Sequence, residues 1–205
     1  YREEDTLSFI NSMCRRLVDS IPILLMVLGS SGLLGWVIHN PWLVRFNGEA
    51  SSWPPMSQWA ALGFFLLGWS HLGERTWKYS KWVAGFLFVL GLAFLFENMF
   101  NVSFACLDYA WANYWSDFWI ENPGRLALGT SVCFLLSSLH MLSREKPVRD
   151  MLGSAISAIA ALHLINFSMD PMRHSVNLMS HMSTPAALGF CLWGLYCIFR
   201  SSDAK

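Results

Sequence analysis

The sequence predicts an all-α polytopic membrane protein, with six transmembrane helices set out as three parallel helix–loop–helix repeats. Three observations predict it. The chain is 54% hydrophobic and only 14% charged, with a mean hydropathy of +0.38, where a soluble domain carries about 25% charged residues. Six apolar runs fall near 21–39, 57–73, 82–101, 126–142, 150–168 and 184–200. Each has roughly the ~20 residues that a helix needs to cross ~30 Å of hydrocarbon. Helices are required because the backbone finds no water partners in lipid. Finally, MSQWAALGFFLLG (Met56 to Gly68) returns as MSTPAALGFCLWG (Met182 to Gly194), identical at nine of thirteen positions.

Residues 1–16 read as a cytoplasmic lead-in. Their mixture of Glu3, Glu4, Asp5, Arg15 and Arg16 is unlike the basic start of a cleaved signal peptide. Pro22 and Pro185 are expected at the first turns of the first and sixth spans, where a missing N–H costs little. Pro54 and Pro55 precede the second span, Pro123 the fourth and Pro147 the fifth. Between the third and fourth spans, Trp111, Trp115 and Trp119 recur every four residues, the spacing of one helical face. That stretch reads as a short helix at the outer interface, where tryptophan is favoured.

A weaker copy of the repeated stretch runs Arg125-Leu126-Ala127-Leu128-Gly129-Thr130-Ser131. The chain therefore reads as one integral membrane domain, 1–205, with repeats at approximately 17–73, 78–142 and 147–200. An even number of spans per unit makes the copies parallel. Ala60, Gly63, Gly68, Gly129, Ala186, Gly189 and Gly194 let these helices approach closely.

Of the 14 Lys and Arg residues, all but Arg45, Arg125 and Arg173 fall before the first span, in the second and fourth connections, or after the last span. The positive-inside rule then makes both termini cytoplasmic. The formal net charge of zero is a sum over two sides. The basic residues are dispersed in loops, which gives no footprint for nucleic acid. No nucleotide-binding glycine loop, zinc-protease motif or nucleophile elbow occurs, so the chain reads as a non-enzyme. The five cysteines are scattered and read as packing residues.

Glu97 is the one acidic residue well inside a predicted span, and an intramembrane carboxyl is costly unless it faces a polar partner. His163 falls at a similar height on the fifth span, with Asn98 and Asn166 just above the two. Glu97, Asn98, His163, Asn166 and the loop residue Arg125 are the candidate ligand-binding set, fit for a small polar molecule, a quinone head group or a proton. Hydrogen-bonded structural roles account for the same residue types. Met172, His174, Met179 and His181 gather soft donors in the last outer loop and are candidate copper ligands; Met is also a common filler of apolar gaps. His71 and His140 lie fifteen residues after Met56 and Arg125 respectively, at one depth, and are candidate haem ligands.

Asn40-Pro41-Trp42-Leu43-Val44-Arg45 followed by Pro55-Met56-Ser57, Gly91-Leu92-Ala93-Phe94-Leu95-Phe96-Glu97-Asn98 followed by Asn122-Pro123-Gly124-Arg125, and Met182 with Ala186-Ala187-Leu188-Gly189-Phe190 together carry a resemblance. They resemble the multi-pass N-terminal membrane sensor region of bacterial histidine kinases and diguanylate cyclases. The resemblance implies a sensor in the bacterial inner membrane, detecting a ligand or membrane condition in its outer half. It also implies a cytoplasmic output module beyond the last span and a homodimer formed through it. The other class of function compatible with the residues is an accessory subunit of a respiratory or photosynthetic membrane complex, holding quinone, pigment or haem.

Overall fold

A computed structural model describes residues 2–45, 55–72, 74–102, 104, 126–169 and 182–203. Among them there is no strand. Seven helices follow in order: α1 Arg2–Val37, α2 Pro41–Arg45, α3 Gln58–Ser70, α4 Glu74–Phe100, α5 Leu128–Leu142, α6 Lys146–Met169 and α7 Thr184–Asp203.

Three of them are long and apolar enough to cross a membrane, over Ser12–Val37, Tyr79–Phe100 and Lys146–Asn166. Only 28%, 39% and 28% of their apolar windows is buried inside the protein, so most of each apolar surface faces outward. Val27, Leu34 and Val37 on α1, Val89, Leu92 and Met99 on α4, and Met151, Leu162 and Ile165 on α6 are all at least half exposed. In water, patches of this size mark an interaction surface; lipid accepts them at no cost.

The helix boundaries depart from the sequence reading at several places. The lead-in is helical from Arg2 and continuous with the first span, so Pro22 lies inside α1 and not at its first turn. Neighbouring helices let a membrane helix carry such a proline. α3 stops at Ser70 with 13 residues, about 20 Å at the helical rise. Its end is closed by the amides of His71 and Leu72, which donate to the carbonyls of Gly68 and Trp69. α5 is also short for a span, at 15 residues. The fold class is thus all-helical with three clear candidate spans.

α3, α5 and α7 need less outward apolar surface because they are packed from several sides. α1 packs most extensively on α3, α4 on α5 and α6 on α7, while contacts of α3 with α4, α5 with α6 and α7 with α1 join these pairs. Each close pair has a point where backbones meet. A Cβ on Gly29 of α1 would come within 2.5 Å of the Ala61 carbonyl on α3. One on Gly91 of α4 would come within 3.0 Å of the Ser131 carbonyl on α5, and one on Gly194 of α7 within 2.8 Å of the Gly153 carbonyl on α6. These glycines let the helices meet by van der Waals contact, the main attraction available between helices in lipid.

α1 and α4 end alike. His39 and Asn101 are the non-glycine residues with positive φ among those described, at 58° and 51°. Both turn the chain just past a helix end, and asparagine tolerates this conformation better than most residues. After α1 the chain closes over the bundle: the amide of Met56 donates to the Val44 carbonyl at 3.0 Å, and Val44 is buried.

Candidate functional site

Two residues before each of α3, α5 and α7 stands a buried apolar side chain, Met56, Leu126 and Met182. Ser57 and Ser183 cap α3 and α7, each hydroxyl accepting from the amide three residues on, at 3.2 and 3.3 Å. Ala127 holds the same place at α5 and has no side chain with which to cap. Two of the carbonyls at these starts, those of Met56 and Leu126, are also tied to the neighbouring long helix. The Trp36 indole donates to the Met56 carbonyl at 2.8 Å. Asn98 Nδ2 donates to the Leu126 carbonyl at 2.9 Å and to Phe94 on its own helix at 2.7 Å.

Eight residues into the repeated stretches the three helices meet. Phe64, Phe134 and Phe190 are fully buried and mutually in contact, with ring centroids 5.7, 4.8 and 5.0 Å apart. The tilted and edge-on geometries are those that aromatic quadrupoles favour. This cluster is the middle of the core.

Of the candidate ligand set, Glu97 is fully buried near the end of α4, and its Oε1 accepts from the Phe104 amide at 2.7 Å. One carboxylate oxygen thus fastens the chain where it leaves α4. His163 is buried on α6 at 8% exposure. Glu97's helix packs chiefly on α5 and His163's chiefly on α7. Asn98 is half-buried and bonded as above, while Asn166 is exposed. Arg125, the set Met172, His174, Met179 and His181, and the tryptophans 111, 115 and 119 lie outside the described residues. Among the described residues, no group of three or more His, Cys, Asp or Glu side chains is disposed to hold a metal.

At the opposite end, His71 and His140 border one cavity, together with Tyr196. Trp193, fully buried, contacts both imidazoles, with centroids at 4.9 and 6.1 Å, and stacks on Tyr196 at 5.5 Å. Tyr196 also meets the His71 ring edge-on at 5.5 Å. His71 Nδ1 lies 3.0 Å from the Leu67 carbonyl and His140 Nδ1 lies 3.1 Å from the Arg149 carbonyl. A carbonyl only accepts, so in the neutral ring His140 Nδ1 carries the proton; His71 Nδ1 also lies 2.8 Å from the Ser70 hydroxyl, which can donate to it or accept from it. Trp193 packs edge-on against both imidazoles and Tyr196 against that of His71, so the four side chains form an aromatic wall at this end. Sequence reasoning missed Trp193, Tyr196 and Trp36. Trp193 stands where the first copy has Leu67, and that substitution of a large ring into a repeated apolar position was the available signal.

Comparison of the chain with protein-family models, with curated proteins and with solved structures found no match.

Proposed function

We propose that this chain is the sensory membrane module of a bacterial signalling protein, sited in the inner membrane with both termini cytoplasmic. On this reading the six longer helices cross the bilayer as three parallel hairpins, α1–α3, α4–α5 and α6–α7. The observation that carries it is the position of α7. It starts just after the buried Met182, passes the phenylalanine cluster at Phe190, forms the aromatic wall with Trp193 and Tyr196, and continues through Arg200 to Asp203. Along this course it touches α1, α2, α3, α5 and α6. A rearrangement at the Glu97–Asn98 end that shifts any hairpin therefore shifts α7, and α7 leads toward the residues after the module. Relay of this kind needs two packings with different ligand affinity.

The threefold reading has support beyond the repeated stretch. Setting Met56 against Leu126 and Met182 superposes the burial of the three central helices, the phenylalanine cluster included. The long helices follow the same scheme. Ile21, Val83 and Leu152 are equivalent and buried; so are Leu25, Leu87 and Ile156. The backbone approaches at Gly29 and Gly91 correspond, as do the Trp36 and Asn98 hydrogen bonds and the turns at His39 and Asn101. On this register His71 answers to Met141 and His140 to Ser70. On it the two histidines are not equivalents, since the middle copy is counted from Leu126.

The test is the native full-length protein. Its reading frame is expected to continue into a kinase or cyclase module whose activity changes with Glu97→Gln or Phe190→Leu. A frame without such a module would overturn the reading, as would output unaffected by both substitutions. Stable copurification with a respiratory or photosynthetic complex would favour the accessory-subunit class instead.

A further inference from the structure

The short central helices leave a cavity of about 400 Å³ at the end away from Glu97. Lys81 from α4, Arg144 from the α5–α6 connection, Arg149 from α6 and Arg200 from α7 line it, with His71 and His140. No carboxylate among the described residues lines it. Asp19, Glu145 and Asp150 are the acids at this end among the residues whose side chains are described, and Glu145 is exposed between Arg144 and Lys146. Asp19 pairs with Arg200 at 3.9 Å, with both side chains about 60% exposed, a loose surface contact. Asp150 adjoins Arg149 in sequence and acts on His140 by charge. Four basic side chains thus border one concave space whose lining, among the described residues, holds no carboxylate.

A second observation concerns Arg149. Its Nε is buried and makes no hydrogen bond among the described residues. That atom is closed off from the cavity, but Arg149 is only half-buried and its side chain is part of the lining, so an acceptor in the cavity would meet the rest of the guanidinium. The guanidinium fork matches the oxygens of a tetrahedral phosphate. His140 Nε2, an acceptor in the tautomer fixed by the Arg149 carbonyl, suits a hydroxyl beside that phosphate. The buried Tyr196 and Cys197 give the site an apolar floor.

We infer that this cavity is a binding site for a phosphate group, held chiefly by Arg149 with Arg144, Lys81 and Arg200 around it. The group has two possible sources: the head of an anionic phospholipid, or a soluble phosphate compound. The lipid source rests on the membrane reading above, since it needs the basic end to lie at a leaflet. The soluble source does not.

The experiment uses the full chain. In micelles of a neutral detergent, inorganic phosphate is titrated and followed by thermal shift and by ³¹P line broadening. In nanodiscs, phosphatidylcholine alone is compared with phosphatidylcholine containing phosphatidylglycerol, with bound lipid counted by native mass spectrometry. Saturable stabilisation by inorganic phosphate supports a soluble source. Retention of phosphatidylglycerol without a phosphate response supports a lipid head. In either case Arg149→Gln should weaken binding roughly tenfold, the scale of one charge-assisted hydrogen bond. Arg16→Gln, a loss of charge on an exposed α1 position, should change nothing. If Arg149→Gln fails to fold, the more exposed Arg144→Gln and Lys81→Gln replace it. Lack of response to both probes overturns the inference, and so does equal weakening by Arg16→Gln. Failure of the membrane reading would show separately, as release of the chain from membranes by alkaline carbonate while phosphate binding in detergent persists.

Discussion

Gly29→Ala and Gly85→Ala make the same chemical change in two long apolar helices, and the structure predicts opposite results. Gly29 is buried where α1 crosses α3. Its new Cβ would stand 2.5 Å from the Ala61 carbonyl oxygen, 2.5 Å from the Phe65 nitrogen and 2.9 Å from the Phe65 Cα, all backbone atoms. Real Cβ contacts stay above 3.0 Å, so the two helices must part by at least 0.5 Å. No rotamer relieves it. Overpacking of this kind costs about 1–3 kcal/mol. Against that stands the gain in helix propensity of Ala over Gly, up to about 1 kcal/mol. At Gly85 a Cβ meets nothing within 4 Å, and only the propensity gain remains. Subtracting one variant from the other cancels propensity and leaves the steric cost, about 1–3 kcal/mol in favour of Gly85→Ala. Denaturant or SDS titration of both variants in mixed micelles, followed by tryptophan fluorescence, measures the difference. If Gly29→Ala proved as stable as Gly85→Ala, the close α1–α3 crossing would be wrong.

Other outcomes follow from the same packing. Trp36→Phe keeps most of the ring but loses the bond to the Met56 carbonyl, and should cost about 1 kcal/mol in the same titration. Asn98→Leu loses two bonds, to Phe94 and Leu126, and should cost more than Trp36→Phe. Glu97→Gln retains an acceptor for the Phe104 amide, so its melting temperature should stay near that of the parent even where signalling is altered. For topology, single cysteines at Trp42 and Arg144, in a chain whose own cysteines are changed to serine or alanine, should label from opposite sides of sealed vesicles. Labelling of both from one side would remove the alternation of hairpins.

Much of the architecture is legible in the sequence, for a physical reason that also sets the limit. The central helices are packed from several sides, so small residues recur at fixed places: Ala60 with Ala186, Gly63 with Gly189, Gly68 with Gly194. Identity there is constrained by space and can be read by eye. The long helices present most of their surface outward, where any apolar side chain serves. Their correspondence survives only at inward positions such as Leu25, Leu87 and Ile156, about one residue per turn, and is diluted below recognition. On the proposed threefold register the middle copy is the hardest to align by eye, because Leu126 stands in place of methionine and Ala127 in place of the serine cap. The short α3 is also illegible: neither His71 nor Leu72 is a helix breaker, and the stop comes from their amides bonding to Gly68 and Trp69. Depth along a helix placed Glu97 and His163 near one level, but depth carries no information about which neighbour each helix packs on.

The shortness of α3 and α5 links these points to function. At about 20 and 22 Å both fall short of ~30 Å of hydrocarbon, so on the six-span reading the bilayer thins around them, whereas α4 and α6, which follow them, run for 27 and 24 residues. The central helices therefore stop before the outer ones do, and the chain turns back at Ser70 and Leu142 inside the ring. α7 does not stop there; it passes between those two ends, carrying Trp193, Tyr196 and Arg200. A hollow is left around it, with Lys81 of α4 and Arg149 of α6 in its lining. An anion in that hollow would touch α4, α6 and α7 together. Its occupancy would resist any sliding of α7 against the other hairpins. On the sensory reading, bound phosphate then biases the relay helix toward one packing. Variants at Arg149 should accordingly alter the output of the full-length protein even though Arg149 lies at the far end of the bundle from Glu97.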